Sequence, residues 1–207
     1  MMVTTDKRYI VGRVLRASTT GFDCGTRSSK IDEKHTFGSF VKVPITDDES
    51  VCAIGLIYAI RIDDDALARE LVMASAVDNI ALIDQRENRM VPVEIGVINV
   101  GFRFKDAMIQ SLPPRPPLSL SQVELCSADE VHQFTERFDF FRLVLNAKEV
   151  PSDELLAAAL NYACYAYPEA DQYGFRVRCG RQLAMMLSND LKRLNHLLAL
   201  IKPDYTA

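Results

Sequence analysis

The sequence predicts an α+β fold, a small N-terminal β-barrel followed by a helical region. Three observations predict it. Short β-rich runs punctuated by glycine fill roughly the first hundred residues. A proline cluster, Pro113-Pro114-Arg115-Pro116-Pro117, then interrupts the chain. Beyond it the apolar spacing changes from a strand period to a helix period. On this reading residues 1–125 form the barrel with its proline-rich strap, and residues 126–207 form the helices.

The elements follow in order. Tyr9-Ile10-Val11-Gly12-Arg13-Val14-Leu15-Arg16 alternates in part and runs into the cluster Ser18 to Gly21, which predicts a strand and a turn. Gly21-Phe22-Asp23-Cys24 begins the return strand of a hairpin, and Arg27 to Lys34 reads as a polar loop. Phe40-Val41-Lys42-Val43-Pro44 is a strand, and Asp47-Asp48-Glu49-Ser50 a turn. Val51 to Ile62 is a long apolar run in which Gly55 suits a bulge or a barrel corner. Asp63-Asp64-Asp65 predicts a helix start reaching to about Ala76, because carboxylates there cap free N–H groups and complement the helix dipole. Met90 to Phe104 is a second β run, interrupted at Gly96 and Gly101. Short strands of this kind, separated by long loops, predict a closed barrel more than an open parallel sheet.

Four prolines in five residues favour extended backbone without regular pairing, and they predict a rigid strap docked on the barrel between apolar anchors Leu112 and Leu118. Ser127-Ala128-Asp129-Glu130 fits a capping box. Val131, Phe134, Phe138 and Phe141 then fall on one helical face, and with Phe140 they predict a core cluster. A second helix is expected from Pro151-Ser152 to near Pro168, and a third from Phe175 to Ile201, stopped by Pro203. Within that third helix Leu187, Leu191, Leu194, Leu198 and Ile201 step by alternating four and three. The spacing predicts a narrow coiled-coil-like seam, suited to a protein partner's antiparallel helix or to a second copy of the chain in a homo-oligomer.

Composition narrows the function classes. Nearly half of the 207 residues are apolar and a quarter charged, which is ordinary globular usage. No apolar run approaches the ~20 residues of a membrane helix, and Met1 to Arg8 is too polar for a secretory signal. Five scattered cysteines without a CxxC pair predict free thiols in a cytoplasmic protein, not a disulfide framework or a zinc site. The net charge of −4 argues mildly against a chain whose main work is gripping phosphate.

Catalytic motifs are absent from the sequence. There is no Walker A spacing, no GxSxG elbow and no HExxH. Gly21, Gly25 and Ser28-Ser29-Lys30 lack a following helix and read as a surface turn before a phosphate cradle. His35, His132 and His196 lie far apart without metal-ligand neighbours, and Asp63-Asp64-Asp65 reads as capping before Mg²⁺ binding. The expectation is a non-enzyme without a cofactor. Interaction features are stronger. Arg8, Arg13, Arg16, Arg27 and Lys30 give the barrel a basic tilt, offset by Asp6, Asp32 and Glu33. Arg13, Arg16, Arg27 and Lys30 are therefore the candidate residues for an acidic partner or a nucleic-acid backbone.

Three stretches resemble the HAS-barrel family, the small barrel at the N-terminus of HerA-type DNA-translocating ATPases and ATP synthase catalytic subunits. They are Val11-Gly12-Arg13-Val14-Leu15-Arg16-Ala17-Ser18-Thr19-Thr20-Gly21-Phe22-Asp23, then Gly38-Ser39-Phe40-Val41-Lys42-Val43, then Ile54-Gly55-Leu56-Ile57-Tyr58-Ala59-Ile60. Val93-Glu94-Ile95-Gly96-Val97 and the strap resemble that barrel's last strand and its exit. In the HerA-type proteins an ATPase core follows the barrel, whereas here about 80 residues of helical pattern follow it, so ATP hydrolysis is not carried over. The resemblance implies an accessory or assembly subunit that docks to a HerA-like ring ATPase or its nuclease partner in DNA processing. The alternative is a direct nucleic-acid binder whose barrel groove tracks a strand.

Overall fold

A computed structural model describes residues 9–27, 31–48, 50–62, 92–148 and 150–201. The expected helix from Asp63 to Ala76, the Ser28-Ser29-Lys30 loop and Pro203 lie outside the described residues. Among the described residues, seven strands precede five helices. The strands are β1 (Ile10–Ala17), β2 (Gly21–Arg27), β3 (Phe40–Pro44), β4 (Val51–Ile62), β5 (Pro92–Phe104), β6 (Ala107–Ile109) and β7 (Gln122–Leu125). The helices are α1 (Ala128–Phe134), α2 (Phe141–Leu145), α3 (Ser152–Cys164), α4 (Glu169–Met186) and α5 (Leu191–Leu200).

Six strands close into an antiparallel barrel in the order β1-β7-β3-β4-β5-β2, with β6 added to β5 as an outer hairpin strand. The sequence explains the hairpins. Ser18 N–H donates to Gly21 O at 2.8 Å to close the β1–β2 turn, and β2 then runs in unbroken register along β5 from Gly21↔Ile98 to Arg27↔Pro92. The expected irregularity at Gly55 is present, since the β4–β5 register shifts between Ile54 and Gly55 and again between Ile57 and Ala59. Closure itself comes from β7. Four residues beyond the strap insert between β1 and β3, pairing Gly12 with Val123 and Val41 with Leu125. The β5 segment Val93 to Val97 is therefore not the barrel's last strand. The strap meets the barrel where Leu118 N–H donates to Pro44 O at 3.1 Å; its buried residues are Pro113 and Pro117, while the expected anchors Leu112 and Leu118 remain 40% and 36% exposed.

Alternation separates two cores. Val41, Val43, Ala53, Ile57, Ile95 and Val97 point into the barrel, where small and β-branched side chains fill the interior. Phe40, Ile54, Leu56 and Val100 point outward and join the helices in a second core. That core is aromatic. Phe40 meets Phe134 and Phe140 edge-on at 5.9 and 6.2 Å, and Phe140 meets Phe141 at 5.0 Å with its plane at 89°. Such pairs contribute about 0.5–1.5 kcal/mol beyond their area burial. Two glycines let the helices come this close. A Cβ at Gly101 would lie 2.6 Å from the Phe134 ring, and one at Gly38 (φ +85°) would lie 2.8 Å from the α3 backbone at Ala158.

The helix boundaries differ from those expected. The capping box is present, with Ser127 Oγ accepting from Glu130 N and Glu130 accepting from Ser127 N. α1 nevertheless stops at Phe134, where Thr135 Oγ1 turns back to bond Val131 O at 2.7 Å. Val131, Phe134, Phe138 and Phe141 thus share one core without sharing one helix. α3 ends at Cys164, short of Pro168, and the chain expected to form one helix from Phe175 to Ile201 forms α4 and α5 instead. Ser188-Asn189-Asp190 supplies the break, because such side chains compete for backbone N–H groups. Asp190 accepts from Arg193 N at 3.0 Å and starts α5 afresh.

Candidate functional site

The β1–β2 hairpin turns Arg13, Arg16 and Arg27 toward solvent while Val14, Phe22 and Cys24 turn inward. Lys30 lies outside the described residues. The cations on this face are not bare. Arg16 donates to Asp23 Oδ2 and to Glu94 Oε1, both at 2.6 Å. Arg61 reaches the same Glu94 at 3.3 Å. The Asp23 hydrogen bond and charge, with Glu94, raise the Arg16 pKa above its usual value. Arg13 donates to Leu120 O at 2.9 Å. The face is a checkerboard of both signs, with Leu15, 54% exposed, packed over Gly25. Beside it Leu120 donates its N–H to Val14 O. Leu120 has φ 62° and is 65% exposed.

The tail leucines divide. Leu194 and Ile201 are buried together with Leu197, which the four-three spacing passed over, and this face packs in the helical core. Leu187 caps the end of α4 and is partly buried, as is Leu198. Leu191, at the start of α5, is 65% exposed. The break at Ser188 to Asp190 means the five residues do not line one continuous helix. α5 is tied to α3 by Arg193, whose guanidinium donates to both oxygens of Asp153 at 2.6–3.0 Å and to Ser152 Oγ at 3.1 Å.

Where hairpin and helices meet, a cleft of about 670 Å³ opens between the β1–β2 turn, β5 and the end of α2. Phe22, Leu112, Leu143 and Val150 make its apolar walls. Arg16, Arg142 and Lys148 bring positive charge to it, against one carboxylate, Asp23. Arg142 and Lys148 are both exposed. Arg142 is held by the Gln110 carbonyl at 3.3 Å. Asn99 also lines the cleft. Its amide nitrogen donates to Ser18 O and Thr19 O at 3.4 and 3.1 Å, fixing the hairpin turn. Its amide oxygen is buried and has no hydrogen-bond partner among the described residues.

Two polar nodes fix the helices in place. Gln110, nearly buried, accepts from Phe140 N at 3.0 Å and donates to the Phe134 and Arg137 carbonyls, so it satisfies the backbone joining α1 to α2. Glu130 accepts from Lys42 at 2.8 Å and from Arg103 at 2.7 Å in addition to its capping bond. Burial alone would raise the Glu130 pKa. The Lys42 and Ser127 hydrogen bonds and the charges of Lys42 and Arg103 outweigh it and hold the carboxyl below its usual range.

All five cysteines are free and buried. Burial pushes the thiols of Cys24 and Cys179 up to about 12, which keeps them protonated and poor nucleophiles near neutral pH. Among the described residues no cluster of His, Cys, Asp and Glu has a metal-binding arrangement, and no helix is long and apolar enough to cross a membrane.

Sequence reasoning found the hairpin arginines but missed Asn99, Gln110, Arg142 and Lys148. Asn99 did leave a signal, a lone amide inside the apolar run Val97-Ile98-Asn99-Val100. No protein-family model matches the chain, and no curated protein matches it in sequence.

Proposed function

We propose that this chain is a non-catalytic accessory subunit, a HAS-type barrel with a helical tail, that docks to a protein partner. By the resemblance of its first three strand regions, that partner is a HerA-like ring ATPase or its nuclease in cytoplasmic DNA processing. The single observation that carries the docking role is Leu120. An L-residue in left-handed backbone costs about 1–2 kcal/mol, and bulky side chains rarely occupy it. Leu120 holds that conformation with its side chain 65% exposed, so burial within the chain returns little for the strain. Strain of this sort concentrates at functional surfaces. Leu15 beside it and Leu191 on the tail are further exposed apolar side chains on the surfaces that would meet a partner.

The test is purification of the tagged protein from its native cells, with the variants Leu120→Gly and Leu15→Glu alongside. A ring ATPase or nuclease should accompany the wild type in near-stoichiometric amount. Leu120→Gly should keep or slightly raise thermal stability, by up to about 1 kcal/mol, and lower the partner's recovery. Recovery of the chain alone, or full recovery with both variants, would overturn the proposal.

A second reading is favoured by the shared face of Arg13, Arg16 and Arg27. On that reading the hairpin contacts a nucleic-acid backbone directly, and affinity falls steeply with salt. The two carboxylates on Arg16 count against it, because an arginine already paired releases fewer counterions on meeting phosphate.

A further inference from the structure

The cleft between hairpin and helices joins three features. It has apolar walls, two exposed cations that no described carboxylate pairs, and a buried amide oxygen to which no described residue donates. Arg142 and Lys148 stand at the cleft of a chain whose net charge is −4, so the local excess of positive charge is not a general property of its surface. Asn99 is only 2% exposed and its nitrogen is spent on the hairpin turn, so its oxygen is left with unused acceptor capacity. Unpaired buried acceptors are rare.

These features ask for different things from a ligand. The cations ask for an anion. The Asn99 oxygen asks for an N–H or O–H donor, and the walls ask for an aliphatic group. An inorganic anion has no apolar group, and a DNA backbone brings no donor. A short acidic peptide brings all three, with carboxylates, backbone N–H groups and an apolar side chain on one stretch. The volume of about 670 Å³ lies within the range of small-ligand sites and leaves room for part of such a segment.

We propose that the cleft bounded by Asn99, Arg142 and Lys148 is a docking site for an acidic peptide segment carrying an aliphatic residue beside its carboxylate. The inference rests on the protein-docking reading above and supplies the chemistry of the segment that docks. Carboxylates of the segment meet Arg142 and Lys148, its aliphatic side chain enters between Leu112, Leu143 and Val150, and one backbone N–H reaches Asn99. That last contact requires the hairpin turn, which Asn99 itself holds through Ser18 O and Thr19 O, to open over the amide when the segment binds.

The probe is a fluorescein-labelled octapeptide of alternating glutamate and leucine, read by anisotropy at low salt. A glutamine–leucine octapeptide and an oligothymidylate of equal charge serve as competitors. The labelled peptide should bind, the glutamine version should bind about tenfold more weakly, and the oligothymidylate should not displace it. The double variant Arg142→Glu/Lys148→Glu should lose about tenfold or more of the affinity while its circular dichroism stays that of the folded wild type, since both side chains are exposed. If the double variant does not fold, Lys148→Glu alone should still weaken binding several-fold. The Asn99 side-chain amide resonances should shift on titration with the wild type. Equal binding of the two peptides, an unaffected charge variant, or displacement by the oligothymidylate would overturn the proposal. Peptide binding without any ATPase or nuclease in the native purification would sink that partner assignment and leave the cleft's ligand class standing. The converse result would remove the cleft and keep the partner.

Discussion

The interior of the barrel and its outer face are built from the same strands with different residues. Inside, Val41, Val43, Ile57, Ile95 and Val97 interdigitate, and Phe22 is the one aromatic side chain of that core among the described residues. Outside, Phe40 joins Phe134, Phe140 and Phe141 of the helical region. The interior core closes the barrel on itself. The outer core belongs to both parts, because the helices bury their aromatic faces on β3, β4 and β5. The difference teaches how the two sides of the barrel diverge: helices cover one side, while on the β1–β2 side Arg13, Leu15, Arg16 and Arg27 stay exposed, the face proposed above for docking.

Mutations can break or sharpen that contrast. Phe40→Ala should have the largest effect, costing about 3–5 kcal/mol by removing the ring at the centre of the aromatic core. Thermal unfolding monitored by circular dichroism at a helix wavelength should register it, and stability equal to wild type would refute the shared-core account. Gly38→Ala should cost about 2–4 kcal/mol, because an L side chain is strained at φ +85° and its Cβ would sit 2.8 Å from the α3 backbone. A cost below about 1 kcal/mol in urea titration would mean that α3 yields easily.

Glu130→Gln should cost about 1–3 kcal/mol near neutral pH, by weakening bonds to Lys42 and Arg103 across the barrel–helix boundary. Its pH dependence has a definite sign. A carboxyl whose folded pKa is lowered stabilises above its unfolded value and loses that contribution as pH falls through the folded one. The gap between wild type and Glu130→Gln should therefore close below about pH 4, and a gap that widens in acid would contradict the assignment. Arg193→Ala should show the smallest effect, about 1 kcal/mol, since the Asp153 pair is partly solvated. Amide hydrogen exchange confined to α5 would locate it.

How much of this was legible depended on whether the information was local. β3 and β4 could be read to the residue, because Phe40–Pro44 and Val51–Ile62 are apolar runs bounded by turn residues. β7 could not. It has four residues with only Val123 fully buried, and its pairing with β1 crosses more than a hundred positions. The tail shows the same limit from the other side. Leucines continue their spacing through the helix break, while the stronger signal was the polar triplet Ser188-Asn189-Asp190 between them. At the candidate site, Arg16 was recognisable as basic, yet its partner Glu94 lies 78 residues away and turns a bare cation into a paired one. Lys148 and Asn99 gain meaning only where the fold brings α2's end to the hairpin turn.

The docking claim is tested most directly by cross-linking mass spectrometry on the complex recovered from native cells. Lys148 at the cleft and Lys192 beside Leu191 are exposed and report on the two proposed contacts, while Lys105 in the β5–β6 turn serves as a control. The account predicts cross-links from Lys148 and Lys192 to acidic stretches of one near-stoichiometric partner. Cross-links from Lys105 alone, or no partner at all, would contradict it.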